Sequence, residues 1–331
     1  MKRRSAPPRR QRGVALVIAL ILVALATILA TKLSFDGFLE QRRTVAVLAA
    51  EQALHFALGA EALAADVLVQ DLQNSKSLTT LSAPWAQPTQ PLPITPDSNP
   101  DGEPIGTLQG ALEDMQGRFN LNSLARLGPD GVTEDPRPLE QFQRLLVSVG
   151  VEPKWAGLAR DWIDQDDSPG TPDGAEDAVY TSQTPPYRTG NWPMMSPSEL
   201  MNLPGFGADR YRKIAPYVTA LPNANTSINL CTAPSPVLES LAEGLNGEWS
   251  ATVLAAGRKT GCFPDKNTFT NVATSFAGQK AMTNMVPIDT SSQYFQLTTR
   301  VTLGTNEFTL YSLLFRGTTK VTPLLRSFGT P

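Results

Sequence analysis

Eighteen uncharged residues, Val14–Thr31, open the hydrophobic pattern of the chain, and Lys32 closes the run. As an α-helix this stretch rises about 27 Å, close to the ~30 Å hydrocarbon core of a bilayer. The apolar pattern continues through Leu33 and Phe35. Further on, Leu54, Leu58, Ala62, Ala65, Leu68 and Leu72 recur at steps of three and four. That spacing predicts an amphipathic stem with one face against a globular body. No proline occurs between Pro8 and Pro84, and good helix formers dominate the segment. One continuous helix is therefore predicted, its upper half in lipid or against identical helices and its lower half on the body.

Pro84, Pro88, Pro91, Pro93, Pro96, Pro100 and Pro104 mark a loop after the stem. Thr107–Leu112 and Gln116–Asn122 then read as a short strand and a turn. Helix formers with spaced apolar residues follow over Leu139–Val149, Pro153–Ile163, Ser198–Leu203 and Ala208–Ala215. The last third returns to strands: Gln293–Leu303 and Glu307–Phe315, rich in Thr, Phe, Tyr, Val and Leu, flank Gly304-Thr305-Asn306 and predict a hairpin. Residues 263–292 carry no assignable pattern. The sum is a helical block of roughly a hundred residues inserted between strands of one α/β unit.

Composition and charge place these elements. With 331 residues, 41% of them apolar, and 28 prolines, the chain has enough material for about two loop-rich folded domains. Six positive side chains (Lys2, Arg3, Arg4, Arg9, Arg10 and Arg12) precede Gly13 and the apolar run, which keeps the N-terminus cytoplasmic and sends everything after Lys32 across the membrane. A cleaved secretory signal fits poorly, because the small-x-small triplet Ala24-Leu25-Ala26 lies inside the run. Without residues 1–13, 22 of the 28 basic side chains remain against 31 acidic ones, a formal charge of −9. Nucleic acid is a poor partner for such a chain. Cys231 and Cys262 would lie in an oxidising compartment that permits a disulfide; two separate buried thiols fit the spacing as well.

The joint of basic leader, Gly13, apolar helix and amphipathic stem resembles the N-terminus of type IV pilins and of type II secretion pseudopilins. In that family a prepilin peptidase cuts after the leader glycine and methylates the new amino terminus, which implies a cut between Gly13 and Val14. Most members carry Phe or Met where this chain has Val14, and Glu where it has Ile18. Gln11-Arg12-Gly13-Val14-Ala15-Leu16 is similar to the minor pseudopilin K (general secretion pathway protein K), which lacks that glutamate. A buried Glu in a filament is costly unless it meets a positive partner, a pairing Ile18 cannot make. A subunit without it can lack a neighbour on one side, which suits the filament tip.

The densest chemical constellation is Asp161–Asp177, with seven carboxylates in 17 residues broken by Pro and Gly. Gathered in a folded loop they repel one another, and a hard divalent cation with oxygen ligands relieves the repulsion. Asp164, Asp166 and Ser168 start like an EF-hand, but Pro169 takes the place of the required glycine and Glu176 falls one residue too late. The alternative is a solvated acidic turn. The segment Asp161–Tyr180 resembles the calcium-binding segment of K pseudopilins; the resemblance implies calcium, with Asp164, Asp166, Asp167, Asp173, Glu176 and Asp177 as candidate ligands.

As a whole the resemblance implies an α+β fold: a long N-terminal transmembrane and stem helix, a pilin-like α/β domain with an antiparallel sheet, and a large inserted α-helical domain. Its expected divisions are the leader 1–13, the transmembrane part 14–34, the stem and first part of the α/β domain 35–124, the insert 125–220 and the remainder 221–331. It implies a minor pseudopilin in the inner membrane with a periplasmic body. Such a subunit forms the pseudopilus tip with the I and J minor pseudopilins, also meets the H and major pseudopilins, and helps initiate assembly for protein export. A minor pilin of a type IV pilus is the neighbouring reading. A third arises from Leu200–Gly207 with Tyr211–Ile214, which resembles a helix-hairpin-helix of membrane-anchored DNA receptors; a single hairpin on an acidic chain argues against it. An enzyme is not expected: His55 is the one histidine and lies on the stem, and no nucleophile, base or phosphate cradle accompanies the acidic loop.

Overall fold

The structure, a computed structural model, describes residues 12–75, 78–87, 89–95, 102–128, 130–131 and 133–329, without the side chains of Arg12 and 279–283. The expected leader lies outside them except for Arg12 and Gly13. A single helix, α1 (Arg12–Asn74, 63 residues), carries both the apolar run and the stem. Every residue from Gly13 to Leu48 is exposed, and the most apolar 18-residue window has a mean hydropathy of 2.9. This is one helix long and apolar enough to cross a membrane.

Below residue 50 the helix lies on a sheet, and its buried face differs by one position from the expected stripe. Ala53, Ala57, Glu61, Ala64, Leu68 and Asp71 are buried, whereas Leu54, Leu58, Ala65 and Leu72 are half-buried and Ala62 is exposed. Two reasons explain the shift. Alanines let the helix approach the strands closely, and the two carboxylates on the buried face meet arginines from the sheet. Arg326 donates to both oxygens of Glu61 at 2.9 and 2.7 Å, and Arg316 donates to Asp71 at 2.8 Å. Burial pushes the Glu61 carboxyl up, but hydrogen bonds from Arg326 and Ser312 outweigh it and hold the group below its ordinary value.

The proline-rich loop hides an edge strand, β1 (Leu92–Ile94), which pairs with β2 (Gly106–Asp114). After two short parallel pairs, β3 (Phe119–Asn120) with β4 (Val218–Thr219) and β5 (Ile228–Asn229) with β6 (Ile288–Asp289), the chain returns to the main sheet. It does so as β7 (Tyr294–Leu303), β8 (Asn306–Arg316) and β9 (Val321–Phe328). The sheet is antiparallel throughout, in the order β1-β2-β7-β8-β9. The expected hairpin is β7–β8, turning at Gly304-Thr305. Phe295, Leu297, Val301 and Leu303 of β7, with Leu310 and Leu314 of β8, pack under α1.

Because β2 and β7 are neighbours, residues 115–293 form one insertion between adjacent strands. It holds α2 (Pro136–Ser148), α3 (Trp155–Asp161), α4 (Asp177–Tyr180), α5 (Gly207–Ile214), α6 (Ser235–Ser240), α7 (Ala251–Gly257) and α8 (Lys266–Thr283). Ser198–Leu203, expected as an α-helix, is a 3-10 turn over Pro197–Asn202, capped by Ser196 and Glu199. The buried cluster around Phe142, Leu145 and Trp155 also takes in Val237, Leu241, Trp249 and Phe269. The expected boundary at 220/221 therefore does not coincide with a break in the core. The sulfurs of Cys231 and Cys262 are bonded, which ties α6's approach to the turn before α8.

The insertion is fastened to the sheet by polar contacts. Asp114, at the end of β2, is buried and accepts from Gln116 N, Thr232, Asn229 and Ser292. Arg316 of β8 spans the seam: besides Asp71 it donates to Thr79 Oγ1 and to Ser292 O. Removing it leaves Asp71, whose carboxyl burial already pushes up, without its partner and the Ser292 carbonyl without this donor. Arg316→Met is therefore expected to cost about 3–5 kcal/mol in denaturant unfolding; a loss below ~1 kcal/mol would show that the stem docks without this pair.

Candidate functional site

The acidic segment begins in the last turn of α3 and ends in α4. Asp161 is fully buried, and its Oδ2 accepts from Gly170 N and Ala175 N, both at 2.9 Å. The loop thus folds back over its own first carboxylate. Gly174 is required for this closure, since a Cβ there would lie 2.2 Å from Gly170 N and 2.3 Å from Asp161 Oδ2. The folded loop brings ligand atoms of Asp161, Asp164 and Glu176 within 4.8 Å of one another, all three residues buried. A second group with the same spacing joins Glu134, Asp164 and Asp166.

These carboxylates lack adequate partners. Asp164 Oδ1 and both oxygens of Glu176 are buried without a hydrogen bond. Arg160 reaches Glu134 at 3.2 Å and Asp161 at 3.5 Å, so it answers two of the five acids. Burial, then the neighbouring Asp161, Asp166, Glu176 and Glu134, push the Asp164 carboxyl up to about 7. Glu176 is likewise pushed up to about 7, by burial and then by Asp161, Asp166, Asp167 and Asp177. A buried carboxylate cluster of this kind either holds protons or holds a cation. Its donors are all hard oxygens, which fit calcium or magnesium better than zinc or copper.

Of the six candidate ligands, the structure gathers Asp164, Asp166 and Glu176. Asp167 instead accepts from Asn191 Nδ2, and Asp177 accepts from Thr189 N and Thr189 Oγ1 while pairing with Arg188. Asp173 is exposed and in neither group. Two members were not among the candidates. Asp161 was legible as the residue one helical turn before Asp164, whereas Glu134 stands far upstream and reaches the site only through the packing of α2 beside α3.

The glycine hairpin before α5 packs inward. Leu200, Leu203 and Phe206 are buried, and Phe206 meets Trp155 edge to face. The basic side chains of α5 are engaged by protein: Arg210 with Glu152, Gly205 O and Phe206 O, Lys213 with Gly150 O, and Arg212 with Asp209. His55 is exposed on α1 and belongs to neither acidic group.

Comparison with known proteins decides the family. The family described as type II secretion system (T2SS), protein K matches residues 117–223. Type II secretion system protein K of Aeromonas hydrophila is 32% identical over 341 aligned positions, covering 96% of this chain and 97% of that protein. The Pseudomonas aeruginosa protein of the same name is 36% identical over 334 positions, covering 97% and 94%. The chain belongs to the type II secretion system protein K family. Its fold also matches a chain in the crystal structure of the GspK-GspI-GspJ complex from the enterotoxigenic Escherichia coli type 2 secretion system. The TM-score is 0.75 and the identity 27%, with 87% of this chain and all of that one covered. Protein K is a minor pseudopilin, and this one has the expected α+β fold. The matched stretch 117–223 contains both the acidic loop and the glycine hairpin. Gly13, Val14 and Ile18, the residues singled out for processing and tip position, lie exposed on the free part of α1.

Proposed function

We propose that this subunit caps the periplasmic pseudopilus as a structural component, in complex with the I and J minor pseudopilins, and helps initiate its assembly. The observation that carries this reading is the likeness of 87% of the chain to a chain of the GspK-GspI-GspJ complex. Two physical features support it. The insertion of 115–293 between neighbouring strands gives the subunit a bulky body that a filament shaft would accommodate poorly. Ile18 leaves no buried carboxylate needing a neighbour's amine. The H and major pseudopilins are the expected further contacts, below the tip. The anchor crosses the inner membrane with its basic leader in the cytoplasm, where prepilin peptidase cuts between Gly13 and Val14 and methylates Val14. The body carries no catalytic role in this reading, and nucleic acid is not a partner.

We further propose that the carboxylate cluster holds calcium, with Asp161, Asp164 and Glu176 as its central ligands and Asp166 and Glu134 beside them. The ion supplies positive charge that the chain itself does not provide there, fixing the loop between α3 and α4.

Three outcomes are expected. Mixed with its I and J partners, the detergent-solubilised chain elutes with both as one species in size-exclusion chromatography; pairwise mixtures without a three-way peak would exclude the tip complex. N-terminal sequencing of the protein from cells with active prepilin peptidase begins at a methylated Val14, and a start at Met1 excludes processing. The third concerns pH. The Asp164 and Glu176 carboxyls sit near 7 in the fold against ordinary values of 3.8 and 4.5, so the folded state binds more protons than the unfolded one between these limits. Without cation, the melting temperature therefore falls as pH rises from about 5 to 8, while calcium, which binds the ionised form, restores more at pH 8 than at pH 5. Asp164→Asn raises the cation-free melting temperature at pH 8 and removes most of the calcium increment. Melting curves that ignore calcium at both pH values would sink the cation site.

A further inference from the structure

A strap of chain, Arg188–Met195, runs along the acidic loop, and its attachments alternate with the cation ligands. Asp166 and Glu176 turn their carboxylates into the cluster. The next residue in each case turns outward to the strap. Asp167 Oδ1 accepts from Asn191 Nδ2 at 3.2 Å, and Asp177 Oδ1 accepts from Thr189 N and Thr189 Oγ1, both at 3.0 Å. A third attachment is Asn191 N to Trp162 O at 3.0 Å, two residues before Asp164. Asn191 takes the left-handed backbone conformation (φ 43°), which Asn tolerates better than most side chains and which costs free energy unless its contacts hold it. Gly190 packs so closely on Trp162 that a Cβ would lie 3.2 Å from the indole ring. Beyond Asn191 the strap is anchored independently: Met194 N donates to Asn122 Oδ1 and Met195 N to Glu199 Oε1. Between these anchors it displays Trp192, 65% exposed, whereas Trp85, Trp155, Trp162 and Trp249 are buried.

We propose that cation occupancy of the two overlapping carboxylate groups, Asp161, Asp164 and Glu176 with Glu134, Asp164 and Asp166, fixes this strap and so controls the presentation of Trp192. The inference rests on the calcium reading above. When the ion pulls Asp166 and Glu176 inward, the adjoining Asp167 and Asp177 are held at the positions from which they grip Asn191 and Thr189. Without the ion, the same carboxylates repel one another, the ligand residues separate, and both grips loosen together. The mechanism is mechanical, through two pairs of adjacent residues, and predicts that only the 188–192 part of the strap responds.

Hydrogen exchange on the full chain in detergent, with calcium chloride or with chelator and well below the melting temperature, tests this. Calcium is expected to slow exchange at the Thr189 and Asn191 amides by about tenfold or more while leaving those of Met194 and Met195 unchanged. Asn191→Ala is expected to keep calcium uptake, measured by titration calorimetry, and to lose the calcium dependence at residue 191 while retaining it at Thr189. Three results overturn the proposal: calcium uptake with unchanged exchange at both amides, a uniform change across the insertion, or loss of uptake in Asn191→Ala, which would make Asn191 a ligand. Absence of calcium heat in the unaltered chain is a separate result; it overturns the cation reading beneath the proposal.

Discussion

The fold depends on one guanidinium. Arg316 lies at the end of β8, buried, and meets three segments that are far apart in sequence: Asp71 in the last turns of the stem, Thr79 in the chain just after it, and Ser292 at the entry to β7. Ser292 in turn donates to Asp114 at the exit of β2, and Asn229 of the insertion bridges both. One side chain thus fastens the membrane-derived helix to the sheet at the same point where the sheet opens to admit the insertion. A long exposed helix acts as a lever on its lower end. There Ala64 and Leu68 pack on Trp85, Phe295, Leu297 and Leu314, and the two carboxylate–arginine pairs add direction and register to this apolar contact.

This arrangement has a mechanical consequence for a filament subunit. The insertion enters and leaves through two neighbouring strands, β2 and β7, whose pairing runs without interruption from Gly106–Leu303 to Asp114–Phe295. Its weight therefore rests on a continuous ladder rather than on a flexible linker, and the polar seam around Asp114 closes the joint. The sheet face not covered by α1 is partly filled at this end by Tyr294, Phe315, Met115 and Leu221. Stem, sheet and insertion are consequently joined directly, as a subunit that transmits position from a membrane anchor to a bulky head needs.

What the sequence made legible follows the range of the interactions concerned. The continuous stem, the β7–β8 hairpin and the helices α2, α3 and α5 were readable because periodicity, caps and turn residues are local. The stripe on the stem came out one residue away, because apolar spacing alone ignored that Glu61 and Asp71 find arginines on β8 and β9. β9 was not seen: Pro323 interrupts it, and its burial does not alternate. The helices of residues 235–283 share the core of the earlier block, a relation visible only once the chain is folded. In the acidic loop, composition marked out the segment but not which of its acids the fold brings together. Neighbouring acids such as Asp166 and Asp167 face opposite ways, and Glu134 arrives from another helix.

The contrast among the buried acids gives the loop its meaning. Glu61 and Asp135 are held low by arginines; for Asp135, burial is outweighed by Arg137 and Arg126, which keep its carboxyl at about 2. Asp114 is served by neutral donors that fill its oxygens, and burial pushes it up. In each case the chain supplies a partner for the charge or the lone pairs it buries. Asp164 and Glu176 break that pattern, with oxygens that meet no donor although Arg160 stands nearby and is turned to Glu134 and Asp161. Among the described residues, Asp164 and Glu176 are the buried carboxylates left with such oxygens, and Gly174 closes the loop tightly beside them. The cation proposed above would supply the positive charge that these oxygens lack, and several hard oxygens in one loop are the donor set such an ion prefers.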